Sequence, residues 1–265
     1  MRPILIAALA LFTTPAMACG PDTDCTVPGD RTYRYYMPDG PTEPTGAFFH
    51  AHGYRGSANG AMRNASLRAM ADRLGMAFIA LNADADDWNL AHRPSDPAQS
   101  EAAEMDYVTA VIADVSRRIP LDQSRLISTG FSAGGMMTWT LACEMSESFA
   151  GFVPYAGTFW SPTPADCPSP ATTIVHIHGD ADTTVPQEGR AIGGTAQGNI
   201  WEVLDMYGTA GGYGRPAAMQ APDGMRCLGG ENASNDALVF CEFGGGHSYS
   251  TARVEWAIEW ILSRL

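Results

Sequence analysis

The chain contains no lysine. That absence excludes the lysine-bearing phosphate loop of nucleotide enzymes and every Schiff-base mechanism, because both need a primary amine. The cations that remain are arginines, and they are outnumbered: 16 basic residues stand against 29 acidic ones, for a net charge of −13. No basic stripe exists to neutralise phosphates, so no nucleic-acid partner is expected. Long apolar runs are also scarce. The stretch Ile4 to Phe12 is too short to span a bilayer, and no later segment is apolar enough, so no membrane insertion is expected. Neither an internal repeat nor a low-complexity linker divides the 265 residues. With 45% hydrophobic and 17% charged residues, residues 19–265 read as one globular domain.

What is there begins with a leader. Arg2 supplies a short positive head, Ile4 to Phe12 an apolar centre, and Ala16-Met17-Ala18 a small-x-small cleavage site. Residues 1–18 are therefore expected to be a secretory signal peptide, and the mature chain to be soluble and exported, extracellular or periplasmic. Six cysteines follow it: Cys19, Cys25, Cys143, Cys167, Cys227 and Cys241. An even number in an exported chain suggests disulfides, and pairing of sequence neighbours (19–25, 143–167, 227–241) is the simplest scheme. The alternative at Cys19 is lipidation. It is disfavoured because Ala16 stands where a lipoprotein signal usually has leucine, and because it would leave an odd number of thiols.

Strand-like apolar runs alternate with helical patterns. Strands are expected at 31–38, 46–53, 76–84, 125–130, 151–157, 172–179 and 237–246, and several are apolar on both faces, as in a buried parallel sheet. Helices are expected at 60–74, 101–118, 133–146, 187–208 and 251–265. The alternation predicts an α/β fold with a mostly parallel central sheet and helices on both faces. The Pro- and Gly-rich stretches 38–46, 159–170 and 211–230 read as excursions at the sheet edges.

Chemistry concentrates at four strand ends. Gly130-Phe131-Ser132-Ala133-Gly134 matches the G-x-S-x-G nucleophile elbow, in which a serine sits on a strained strand-to-helix turn above a sheet. The plain alternative is a Gly/Ser turn without chemistry. Against it, an acid and a histidine follow in the order this fold requires: Asp180 or Asp182 after strand 172–179, then His247 after strand 237–246. His52-Gly53 ends an early strand, so the backbone amides of Tyr54 and Ala133 are the candidate oxyanion donors. A rival chemistry uses His50-x-His52 and His176-x-His178, since residues i and i+2 of a strand share a face and could chelate zinc. The disfavoured metal reading lacks the histidine a metallohydrolase loop carries after the aspartate. No metal and no cofactor are expected.

These motifs together resemble the secreted polyhydroxybutyrate depolymerase-like esterases, which include feruloyl and acetylxylan esterases. The stretch from Ser128 to Gly157 is similar to that family's nucleophile segment. "HIHGDADTTVPQEG" resembles its His-Gly-x-x-Asp-x-x-Val-Pro block, and the resemblance selects Asp182 over Asp180. "GGGHSYS" resembles its Gly-x-Gly-His-x-Trp-Pro block and selects His247. The likeness implies the α/β-hydrolase fold, an ester substrate, and Trp88 and Tyr249 as substrate contacts. Tyr249 and Ser250 replace the family's tryptophan and proline, and Trp88 alone remains of its cysteine and tryptophan after the third strand. No polymer-binding module is expected, so soluble short-chain or aromatic esters, or ester oligomers, are the expected substrates. A serine peptidase of the same fold and a non-catalytic secreted binding protein are the other classes open at this point.

Overall fold

The computed structural model describes residues 19–40, 44–96, 98, 100–222 and 224–265. The expected leader, residues 1–18, lies outside them. Twelve strands are described: β1 (Cys25–Val27), β2 (Arg31–Tyr36), β3 (Thr45–Ala51), β4 (Ala77–Leu81), β5 (Leu121–Phe131), β6 (Gly151–Tyr155), β7 (Ile174–Gly179), β8 (Arg190–Ile192), β9 (Thr195–Gln197), β10 (Ala217–Met219), β11 (Met225–Glu231) and β12 (Ala237–Phe243). Six α-helices accompany them: α1 (Ala58–Met62), α2 (Ala65–Leu74), α3 (Ala102–Arg118), α4 (Ala133–Glu144), α5 (Ile200–Ala210) and α6 (Thr251–Leu262).

Ten strands form one sheet in the order β1-β2-β4-β3-β5-β6-β7-β12-β11-β10. The middle, from β4 to β12, is parallel, and antiparallel strands close both edges. This is the mostly parallel α/β sheet that the strand–helix alternation predicts, and the α/β-hydrolase-like architecture that the family resemblance implies. Side-chain alternation along β3 shows why helices cover both faces. Phe49 belongs to a core with Tyr107 of α3, Trp139 of α4 and Val203 of α5, whereas Phe48 packs with Met62 of α1, Met70 of α2 and Ile258 of α6. Phe48 and Phe78 stack at 4.9 Å across neighbouring strands on the second face. Truncating such a fully buried ring costs about 3–5 kcal/mol.

Several expected boundaries change. The helix expected at 60–74 is two helices broken at Arg63 and Asn64, because Ser57 and Asn64 each cap a new start with a side-chain oxygen. The helix expected at 187–208 begins only at Ile200, capped by Asn199. The residues before it form the β8–β9 hairpin, turned at Gly193-Gly194. The excursion 211–230 contains β10 and β11, whose strand identity comes from pairing on β12 rather than from local pattern. Disulfides join Cys19 to Cys25, Cys143 to Cys167 and Cys227 to Cys241, the neighbour scheme. The bond to Cys25 occupies the sulfur that a lipid thioether on Cys19 would need. No described helix is long and apolar enough to cross a membrane.

Candidate active site

Ser132 joins β5 to α4 with φ 59° and ψ −120°, a conformation costly for any residue with a side chain. The turn is held from outside: Ser132 N–H donates to the Tyr155 carbonyl on β6 at 2.9 Å. The flanking glycines are required by contact. A Cβ on Gly130 would lie 2.0 Å from the Gly134 carbonyl oxygen, and one on Gly134 would lie 1.9 Å from that of Ala51. Helix α4 therefore presses directly onto β3 and β5, and Ser132 is raised at its N-terminus, where the helix dipole favours negative charge.

His247 lies in the loop after β12 and Asp182 in the loop after β7. His247 Nδ1 donates to Asp182 Oδ2 at 2.6 Å, which leaves Nε2 as the acceptor nitrogen. Asp182 Oδ1 accepts from the N–H groups of Thr184 at 2.8 Å and Val185 at 2.9 Å. Burial by itself would raise the Asp182 pKa. Its contacts with His178 and His247 and the Val185 amide outweigh that and hold the carboxyl well below the usual carboxylate range. Asp180 serves the neighbouring loop instead. Its Oδ1 accepts from Gly245 N–H at 2.9 Å and so braces the chain that carries His247. Phe131, next to Ser132, packs its ring against the His247 imidazole at 4.7 Å in a tilted contact.

The loop after β3 carries the candidate oxyanion donor. The Gly53 carbonyl accepts from His52 Nδ1 at 2.8 Å and from Gly56 N–H at 2.8 Å. The peptide is planar and trans, so pinning that carbonyl turns the Tyr54 N–H to the opposite side. Neither Tyr54 N–H nor Ala133 N–H has an acceptor among the described residues. His52 is held as a neutral ring, because its Nε2 accepts from Ala83 N–H at 3.2 Å while Nδ1 donates. Burial lowers its pKa, which favours the same form.

A cavity of about 370 Å³ opens beside Ser132. Met136, Trp160, Val185 and Ile192 supply its apolar lining, and Tyr54, Asp87, Ser95, Thr184, Arg190 and Gln197 its polar groups. Trp160 reaches it because the 159–170 excursion bridges to Gln197 of β9. A larger groove of about 790 Å³ lies elsewhere, between β10–β11 and α6, away from every candidate catalytic side chain.

Known proteins share sequence or fold with this chain. Residues 84–201 match the family described as phospholipase/carboxylesterase. The chain is 30% identical over 244 residues, 83% of its length and 70% of the relative's, to the protein named "Putative esterase NocK" from Nocardia uniformis subsp. tsuyamanensis. The chain belongs to the α/β-hydrolase superfamily. It is a serine esterase-type hydrolase of that superfamily. A second relative, "Probable feruloyl esterase C" from Aspergillus niger, is 26% identical over 48% of this chain and 51% of its own length. Acetyl xylan esterase from Aspergillus awamori shares the fold, with a TM-score of 0.59 at 16% identity over 92% of this chain and 96% of that one.

Two expected substrate contacts of this hydrolase need correction. Trp88 is fully buried; its Nε1 donates to the His52 carbonyl at 2.8 Å and its ring packs on the His52 imidazole at 4.9 Å. It supports the oxyanion loop from beneath and does not line the cavity. Tyr249 also lies outside the lining: its ring packs among His50, Phe131 and Tyr155 at 5.2 to 5.7 Å, with a buried hydroxyl. Tyr249 therefore stands behind Phe131 as packing.

The rival metal histidines are engaged otherwise. His50 Nδ1 lies 3.3 Å from Thr129 Oγ1, and His176 Nε2 lies 2.9 Å from His178 Nδ1. The described residues contain no group of three or more potential ligands arranged to hold a metal. Sequence reasoning missed the cavity wall itself: Arg190, Ile192 and Gln197 fall where a helix was expected. The Gly193-Gly194 dipeptide between short β-compatible runs was the hairpin signal that could have revealed them.

Proposed function

We propose that this hydrolase cleaves carboxylic esters through a Ser132–His247–Asp182 triad and is exported from the cytoplasm. Ser132 Oγ attacks the ester carbonyl while His247 Nε2 takes its proton. The same nitrogen then protonates the departing alcohol, and Asp182 orients the ring and offsets its positive charge. The Tyr54 and Ala133 amides bond the oxyanion; one such donor is worth about 3 kcal/mol. A water activated by His247 hydrolyses the acyl-enzyme.

The observation that carries this reading is the 2.6 Å contact of His247 with a buried Asp182, the His247 ring lying against Phe131, the residue before a serine held at φ 59°. The bounded cavity supports soluble short-chain or aromatic esters over polyester particles, since a chain end must enter a pocket rather than lie on a flat face. The names of the relatives, feruloyl and acetyl xylan esterase, point the same way. Three disulfides support export, because such bonds persist in oxidising compartments.

The test is labelling by a fluorophosphonate. It is expected to modify Ser132, and Ser132→Ala is expected to lose turnover of 4-nitrophenyl acetate by about four or more orders of magnitude. Near-wild-type turnover in Ser132→Ala would overturn the triad. Faster hydrolysis of peptide than of ester bonds would move the protein to the peptidases. The secreted protein is expected to begin at Cys19.

A further inference from the structure

One wall of the cavity beside Ser132 carries a cation with no carboxylate on it among the described residues. Arg190 opens β8, paired across the hairpin with Gln197. Its Nε donates to the Thr184 carbonyl at 2.8 Å and to Gln197 Oε1 at 3.1 Å. Thr184 also donates its N–H to Asp182, so the guanidinium is tied to the loop that carries the candidate triad acid. The two terminal nitrogens of Arg190 have no acceptor among the described residues. Glu188, the nearest acidic residue in sequence, is turned elsewhere, onto Asn199 and the Trp201 indole. Arg190 is exposed, and what distinguishes it is its place on the wall of the cavity beside Ser132 with its Nε anchored.

The fork of a guanidinium matches a carboxylate, which it binds through two parallel N–H···O bonds. The anchored Nε fixes the plane of that fork in advance, so less freedom is lost on binding. Asp87 lines the same cavity but forms no ion pair with Arg190, so charges of opposite sign are held apart in it. An anionic group is drawn to the Arg190 wall and away from Asp87, while Met136 and Ile192 offer apolar surface between.

We propose that this cavity selects esters that themselves carry a carboxylate, gripped by the terminal nitrogens of Arg190 while the ester carbonyl faces Ser132. The proposal rests on the serine-esterase reading and narrows its substrate class. The carboxylate can belong to the acyl part, as in a half-ester of a dicarboxylic acid, or to the alcohol part, as in an acylated hydroxy acid. Both present the same chemistry to Arg190.

The experiment compares mono-4-nitrophenyl glutarate and 3-butyryloxybutanoate, one for each source, with their primary-amide counterparts. The quantity read is the ratio of kcat/KM for acid over amide. Charge-assisted hydrogen bonds to a carboxylate predict a ratio of about ten or more in the wild type for at least one pair. Arg190→Ala is expected to bring that ratio to about one, and Arg190→Lys to keep part of it, because a point charge replaces the fork. A second measurement needs no turnover: the Kd of the half-ester for Ser132→Ala, against the same variant with Arg190→Ala added, is expected to rise about tenfold. A wild-type ratio of one for both pairs, a ratio unchanged by Arg190→Ala, or equal Kd values would each overturn the subsite. If the wild type fails even on 4-nitrophenyl acetate, the esterase reading falls, and the Kd comparison still decides whether Arg190 binds the carboxylate.

Discussion

His178 stands between a second buried histidine and the candidate triad acid. Its Nε2 lies 2.8 Å from the Val185 carbonyl and 3.5 Å from Asp182 Oδ2, and its Nδ1 faces His176 Nε2 at 2.9 Å. A carbonyl can only accept, so the Nε2 proton sits on His178, and in the neutral pair His176 supplies the proton shared with Nδ1. In the order His176–His178–Asp182–His247, His178 and His247 approach the same carboxylate oxygen, Asp182 Oδ2, while Oδ1 is held by the Thr184 and Val185 amides.

His178→Ala should therefore lower kcat for 4-nitrophenyl acetate by about tenfold or more, since contacts to a charged group are worth about 1.5–3 kcal/mol. KM should change little, because His178 does not line the cavity. His178→Gln, which can still donate to the Val185 carbonyl, should recover part of the loss. Steady-state kinetics on the two variants checks this; a wild-type kcat in His178→Ala would remove His178 from any positioning role.

The two aspartates of the same loop separate cleanly. Asp182→Asn leaves the shape but offers the wrong partner to His247 Nδ1, and kcat should fall by about four orders of magnitude. Asp180→Asn keeps an oxygen for the Gly245 amide and should stay within a few-fold of wild type. Comparable losses in both would mean that Asp180, not only Asp182, serves the histidine.

His52 is predicted to act through the Gly53 carbonyl. His52→Ala removes one of the two donors that pin that peptide, leaving Gly56 N–H, and should cost up to about 100-fold in kcat, the scale of one oxyanion donor. His52→Asn, whose amide can donate in place of Nδ1, should retain more. Circular dichroism of both variants separates this from misfolding, and equal kcat for Ala and Asn with an intact fold would argue against the pinned-peptide account.

Acid sensitivity should begin at histidine pH values rather than carboxylate ones. Burial, aided by the nearby His52, pushes the His50 pKa down to about 3, and burial next to His178 lowers that of His176. The unfolded chain therefore binds these protons first as pH falls below about 6.5, and stability declines from there by up to about 1.4 kcal/mol per pH unit for each such histidine. Asp182 acts later. Its folded pKa is depressed, so its contribution is full above the unfolded value near ~3.9 and is lost below it. Relief of repulsion among the acidic residues also waits for carboxylate protonation, so it does not offset the loss between pH 6.5 and 5. The Tm should fall across that interval, and His50→Asn should flatten the slope; a Tm unchanged from pH 7 to 5 would count against the buried neutral histidines.

The legible part of this protein was local or ordered along the chain. Strands of β-branched and aromatic residues, such as 47–51 and 174–178, carry their own pattern, so the buried parallel sheet could be read directly. The serine corner could be read because the close approach of α4 to β5 and β3 tolerates no side chain at Gly130 or Gly134, and the chain records that as glycine. The succession Ser132, Asp182, His247 at strand ends is likewise a property of chain order.

The rest depended on partners far away in sequence. Strand β11 has no convincing local signature and exists because β12 offers it hydrogen bonds, with Cys227 set opposite Cys241. Residues 187–208 have enough helical pattern to mislead, and the pairing of β8 with β9, together with the bridge of Trp160 to Gln197, makes their first half a hairpin walling the cavity. Trp88 and Tyr249 could be recognised as aromatics near the site, but which way each ring points was decided by packing: one beneath His52, the other behind Phe131. A sequence specifies which side chains exist and in what order. Which of them face the space beside Ser132 follows from two core layers closing on the sheet from opposite sides, and that is settled only when the whole chain has folded.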